Sequence, residues 1–121
     1  MSVVKKFIGE NGSFEWENVS QKSLDEEGIS KVTKSILIGE FEKAPNSIMR
    51  FFFLEPGGHS RLERHLQEHE TIVLTGSGIV QIGDQNFEVK QFDSVYIESN
   101  ELHQFRNPSE KPFGFICVIP K

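Results

Sequence analysis

The alternation of apolar and polar positions divides the chain into short strand-length runs separated by turn residues. Residues 32–41 (VTKSILIGEF) carry β-branched and apolar side chains over the length of one strand, and the Pro45-containing loop EKAPN breaks the run. Residues 47–58 (SIMRFFFLEPGG) are apolar in both phases before Pro56-Gly57-Gly58, which predicts a strand with one face on a core or cavity and the other covered by protein. Further strands are predicted at 71–75, 79–82, 87–89, 95–97, 102–106 and 113–119, with Gly76-Ser77-Gly78, Gly83-Asp84-Gln85-Asn86, Glu98 to Glu101 and Pro108 to Pro112 as the turns. Turns recur at intervals of roughly eight to twelve residues and no helical period competes. The fold class expected is therefore all-β, an antiparallel sandwich or small barrel.

Residues 1–30 do not share this pattern. They scatter Phe7, Phe14 and Trp16 among polar residues, and Ser20 to Gly28 (SQKSLDEEG) is expected to be loop. This arm is either a surface lead-in or an edge element whose aromatics serve as a dimer contact. Residues 31–121 form the barrel domain.

At 121 residues the chain is long enough to bury one core without disulfides. A net charge of -5, with no basic run longer than Lys5-Lys6, excludes a nucleic-acid backbone as the main partner. The single cysteine, Cys117, lies between Ile116 and Val118 in an expected buried strand, which suits a reducing cytoplasm. No apolar stretch has the length of a signal peptide core or a membrane span, so no membrane partner is expected.

The candidate chemistry lies in GGHSRLERHLQEHETIVLTG, residues 57–76, which holds His59, His65 and His69. The fourth histidine, His103, follows in NELHQFRN. In a strand, residues two apart face one side at roughly 6.6 Å, so Glu63 and His65 can reach one ion. A turn after His65 returns His69, and His103 can arrive from a neighbouring strand. Three imidazoles with one carboxylate suit a single divalent transition ion (Mn, Fe, Co, Ni, Cu or Zn) better than calcium or magnesium. The alternative for Glu63 is an ion pair with Arg61 or Arg64, which leaves a three-histidine site. His59 is expected at the rim, and Glu68 and Glu70, flanking His69, should point away from whatever it faces.

The spacing Gly57, five residues, Glu63-x-His65, three residues, His69, six residues, Gly76 resembles the first motif of the cupins, small jelly-roll barrels of two sheets, with the family's first His and its Glu exchanged. His103 and Asn107 match the end of the second cupin motif, while Phe92, Glu98 and Asn100 stand where Gly, Pro and Gly are usual. The resemblance spans roughly residues 35–120 and is greatest to small single-domain cupins that use four histidines.

Alternation puts Arg50 and Phe52 on one face of their strand, Phe105 on the face of His103, and Phe115, Cys117 and Ile119 on one face of the last strand. The resemblance implies that these faces line the barrel pocket; ordinary core packing is the alternative for the phenylalanines. Arg50, inside an apolar strand, must find either a substrate anion or a buried acid. The functions implied are a metal-dependent enzyme on a small organic molecule (a dioxygenase, or a lyase or isomerase) with Glu63 and Arg50 as catalytic residues, a non-catalytic small-ligand sensor, or a metal-free sugar isomerase or epimerase. The last would require Tyr96, the only tyrosine, near a catalytic His. A homodimer is the assembly expected from the resemblance.

Overall fold

The computed structural model describes residues 2–121. It contains β1 (Gln21–Leu24), β2 (Ser30–Ile38), a short 3-10 turn at Glu40–Glu42, β3 (Ser47–His59), β4 (His69–Thr75), β5 (Ser77–Ile82), β6 (Gln85–Lys90), β7 (Ser94–Ile97), β8 (His103–Arg106) and β9 (Phe113–Pro120). Every strand pairing is antiparallel. The all-β barrel read from the sequence is the fold found.

The strands follow the order β6-β5-β8-β3-β9-β4-β7, with β1 and β2 added beside β3. Strand β3 makes the sheet curl. Its first part pairs with β2 on one side and β9 on the other, and its end, past Pro56, turns to pair His59 with Arg106 of β8. One wall is thus β1-β2-β3-β9-β4-β7 and the other β8-β5-β6. The sequence reading ended β3 at Gly58. The backbone instead bends through Gly57, at a φ of 82° that favours glycine, and stays paired.

Between the walls lies a core of Val32, Leu54, Val73, Val80, Ile97, Phe105, Phe113, Phe115 and Cys117. Its aromatic spine stacks Phe105 on Phe115 at 4.4 Å and Phe115 on Phe52 at 5.6 Å. The two-residue side-chain period delivers these residues to one face, while Phe51 and Phe53 of β3 face the opposite way.

That outer face is covered by the arm. Phe14 stacks on Phe51 at 5.2 Å, and Trp16 meets the same ring at 5.2 Å. Phe7 packs edge-on to both Phe14 and Trp16. These aromatics therefore cover the chain's own β3. One expectation for the arm changes. Within the stretch expected to be loop, β1 pairs with β2 from Gln21↔Ser35 to Leu24↔Val32. Farther along, Leu24, Glu26 and Ile29 reach round to line the barrel cavity.

Candidate metal centre

Two strands and one loop bring the histidines together. His69 opens β4 beside Ile97 of β7. His103 opens β8 beside Ile82 of β5. His65 lies in the β3–β4 connection, where Glu63 forms an isolated two-way backbone bridge with His103 (Glu63 N to His103 O 3.1 Å, His103 N to Glu63 O 3.0 Å). That bridge sets Glu63 and His65 against β8.

The ligand atoms of His65, His69 and His103 lie within 4.8 Å of one another, and the His65 and His69 Nε2 atoms are 2.9 Å apart. Each ring is oriented through its other nitrogen. His65 Nδ1 donates to Gln67 O at 2.8 Å and His103 Nδ1 to Glu101 O at 2.8 Å. His69 Nδ1 lies 2.6 Å from Cys117 Sγ. Anchoring of this kind leaves the Nε2 lone pairs free to serve as ligands.

Electrostatics favour the same state. Burial, then the neighbouring His103, Arg50 and His65, push His69 down to about 3. Burial also lowers His103, against the opposing pull of its bond to Glu101 O. Both rings are neutral near pH 7, the form that binds a metal. The donor set therefore fits one divalent transition ion held by His65, His69 and His103.

Glu63 sits at the edge of this trio. Its Oε1 is 4.0 Å from His65 Nε2, and its Oε2 is 3.8 Å from Arg61, the ion pair that the sequence offered as the alternative to direct ligation. His59 bonds Ser60 O at 3.0 Å and lies outside the cavity lining. Glu68 turns outward to accept a bond of 2.8 Å from Tyr96 Oη, and Glu70 is exposed. Tyr96 is itself exposed and is not among the residues lining the cavity, so it does not serve the role that a metal-free isomerase reading needs.

The cavity beside the histidines has a volume of about 210 Å³. Arg50, Phe52, Phe105, Phe115 and Cys117 line it, as alternation and the resemblance led us to expect. Ile119 does not. It shares the face of Cys117 but lies one strand step farther on, opposite Ile48, where it packs against the edge of the core. Among the described residues Arg50 has no acid partner. Its guanidinium lies over the Phe52 ring at 4.8 Å, donates to Cys117 Sγ at 3.3 Å, and buries Nε without a hydrogen bond.

Sequence reasoning missed Lys34, Ser60 and Arg61, which also line the cavity. Lys34 had a signal: in VTKSILI it shares the face of Val32. Arg61 ties the arm to the site, bonding Glu26 Oε2 at 3.0 Å and Glu27 O at 3.0 Å.

The two cupin motifs are also legible in the backbone. Gly57 and Gly76, at the ends of the first, both have positive φ (82° and 73°). In the second, Phe92 and Asn100 stand where glycine is usual and keep the left-handed conformation, at φ 72° and 64°. Asn107 is buried and closes the β8–β9 turn, donating to Leu54 O at 2.9 Å and Lys111 O at 2.8 Å and accepting from Ser109 N at 3.0 Å.

Comparison with known proteins agrees with this geometry. The cupin domain family, Cupin_2, matches residues 50–119. The chain is 33% identical over 109 residues to the 1-methylthio-D-xylulose 5-phosphate methylsulfurylase of Rhodospirillum rubrum, covering 88% of this chain and 69% of that protein. Among solved structures, a cupin-2 domain protein of Rhodospirillum rubrum superposes with a TM-score of 0.83 at 31% identity, over 94% of this chain and 77% of that one. The polyketide cyclase RemF of Streptomyces resistomycificus superposes with a TM-score of 0.79 at 27% identity, over 85% of this chain and 74% of that one.

Proposed function

The chain belongs to the cupin family, and from that premise we propose that it is a metal-dependent enzyme of the lyase or isomerase type, acting on a small organic molecule. The observation that carries this reading is the convergence of three imidazoles on a cavity that also admits a carboxylate, Glu63, and an arginine with no acid partner among the described residues, Arg50. A sensor needs a pocket, but it has no use for a base beside a metal site.

A divalent transition ion held by His65, His69 and His103 supplies Lewis-acid polarisation of a substrate oxygen. The chain's own residues do the rest. Glu63 Oε1, 4.0 Å from His65 Nε2, accepts a proton from the substrate, and Arg61, 3.8 Å from the other oxygen, orients the carboxylate. Arg50 holds an anionic group of the substrate over the Phe52 ring. Phe52, Phe105 and Phe115 exclude water. We adopt proton transfer over the dioxygenase alternative because Glu63 stands where a base is needed. The names of two relatives, a methylsulfurylase and a polyketide cyclase, are in keeping with chemistry other than dioxygen insertion.

A cytoplasmic location is proposed on the buried free thiol of Cys117. No helix among the described residues is long and apolar enough to cross a membrane. A homodimer is the proposed assembly. The exposed Ile72 and Tyr96 on adjacent strands β4 and β7 support it, now that the arm aromatics cover β3.

The test is Glu63→Gln. The variant should keep its metal while losing turnover by about 10²–10⁴-fold. Equal loss of metal and turnover contradicts the base role, and oxygen consumption coupled to turnover contradicts the reaction class.

A further inference from the structure

Five charged side chains line the cavity: Glu26, Lys34, Arg50, Arg61 and Glu63. Their pairing is unequal. Arg61 engages both carboxylates, Glu26 at 3.0 Å and Glu63 at 3.8 Å. Arg50 and Lys34 have neither. Among the described residues Arg50 makes its polar and ring contacts with Phe52, His69 and Cys117, with its Nε buried and unbonded. Among the described residues Lys34 Nζ makes no ion pair or hydrogen bond.

The strand register brings these two cations together. Lys34 of β2 stands directly opposite Phe52 of β3, and Arg50 is two residues along β3 on the face of Phe52. Side chains at such diagonal positions on one face of an antiparallel pair are within reach of each other when they are long. Lys34 and Arg50 thus stand at diagonal positions about Phe52, and both line the cavity. Burial, then the nearby Arg50 and Lys22, push Lys34 below the usual lysine value, against a weaker opposing pull from Glu26.

We propose that Lys34 and Arg50 form an anion subsite for a phosphate monoester, so that the substrate is a small phosphorylated molecule whose reacting end faces the histidines. This deepens the function proposed above and rests on it only for the reacting end. Two unpaired cations match a dianion, whereas a carboxylate neutralises one and leaves the other buried. The pair also divides the recognition suitably. Arg50 offers a planar fork of donors for two phosphoryl oxygens, and Lys34 offers a point charge for the third. Glu26, held by Arg61, closes this end of the cavity from the arm.

The test measures binding of methyl phosphate and of acetate to metal-stripped protein, by calorimetry and by the ³¹P signal of the phosphate ester. Wild type should bind methyl phosphate in preference to acetate. Lys34→Met and Arg50→Met should each weaken binding by about tenfold or more. Lys34→Arg should retain it, which separates loss of charge from loss of fold. Lys90→Met, an equal change of charge outside the cavity, should leave binding unchanged. No preference for the phosphate ester, or equal weakening by Lys90→Met and Lys34→Met, overturns the subsite. The metal is absent throughout, so failure of the subsite and failure of the metal reading show separately: the first in these titrations, the second in metal content.

Discussion

Cys117 Sγ lies 2.6 Å from His69 Nδ1, and the same sulfur accepts a bond of 3.3 Å from Arg50. The only cysteine of the chain thus links a histidine of the candidate metal centre to the arginine of the proposed anion subsite. Burial pushes the thiol above its usual value, so it stays protonated, and the neighbouring Arg50 only partly offsets this.

With His69 Nε2 on a metal, Nδ1 carries the proton and Sγ is its acceptor. Cys117→Ala removes that acceptor, and metal affinity should fall by about tenfold to a hundredfold. Competition with a chelator of known affinity measures this. An affinity equal to wild type would mean that the sulfur does not orient the ring.

Phe92 holds a left-handed backbone at φ 72° while its ring is 70% exposed, so its side chain contributes little packing to offset the cost. Its N–H bonds Val73 O at 2.8 Å, which fixes the turn in place. Phe92→Gly should stabilise the protein by about 0.5–1 kcal/mol, the relief of the backbone being partly offset by the greater freedom of an unfolded glycine. Asn100→Gly should change stability less, because asparagine tolerates this conformation. Urea unfolding of both variants checks the order.

The arm is clamped at Lys5, whose ammonium meets Glu42 Oε2 at 2.6 Å. That bond, followed by the backbone N–H of Gly39, holds the Glu42 carboxyl below its usual value. A carboxyl lowered in the folded state adds stability that is fully present above its unfolded pKa and disappears as pH falls through the folded one. Thermal melts of wild type and Glu42→Gln should therefore differ most near neutral pH and converge in acid, below the ordinary glutamate range. A difference that persists unchanged in acid would assign the stabilisation to something other than charge.

Much of this fold was legible because a barrel strand with one buried face repeats every two residues. The predicted runs 71–75, 79–82 and 113–119 lie within a few residues of the observed β4, β5 and β9. Strand β1 was not legible: QKSL is short and polar, and of its residues only Leu24 is partly buried. Alternation also misled at Ile119. It assigns a residue to a face but does not say how far along the strand the cavity runs. The histidines were found through their spacing. The unpaired state of Arg50 was not, because pairing depends on Arg61 taking Glu26 and Glu63, a long-range arrangement that local pattern does not contain. The second motif looked degraded at Phe92 and Asn100, yet both retain the backbone that glycine would adopt.

The central claim is that His65, His69 and His103 hold one divalent transition ion. Elemental analysis of untagged protein, loaded in turn with manganese, iron, cobalt, nickel, copper and zinc and then desalted, tests it most directly. One ion per chain should remain for at least one of these metals, and folded His69→Ala and His103→Ala variants should retain only traces. Wild-type protein that retains none of the six, or variants that hold metal as tightly as wild type, would contradict the account.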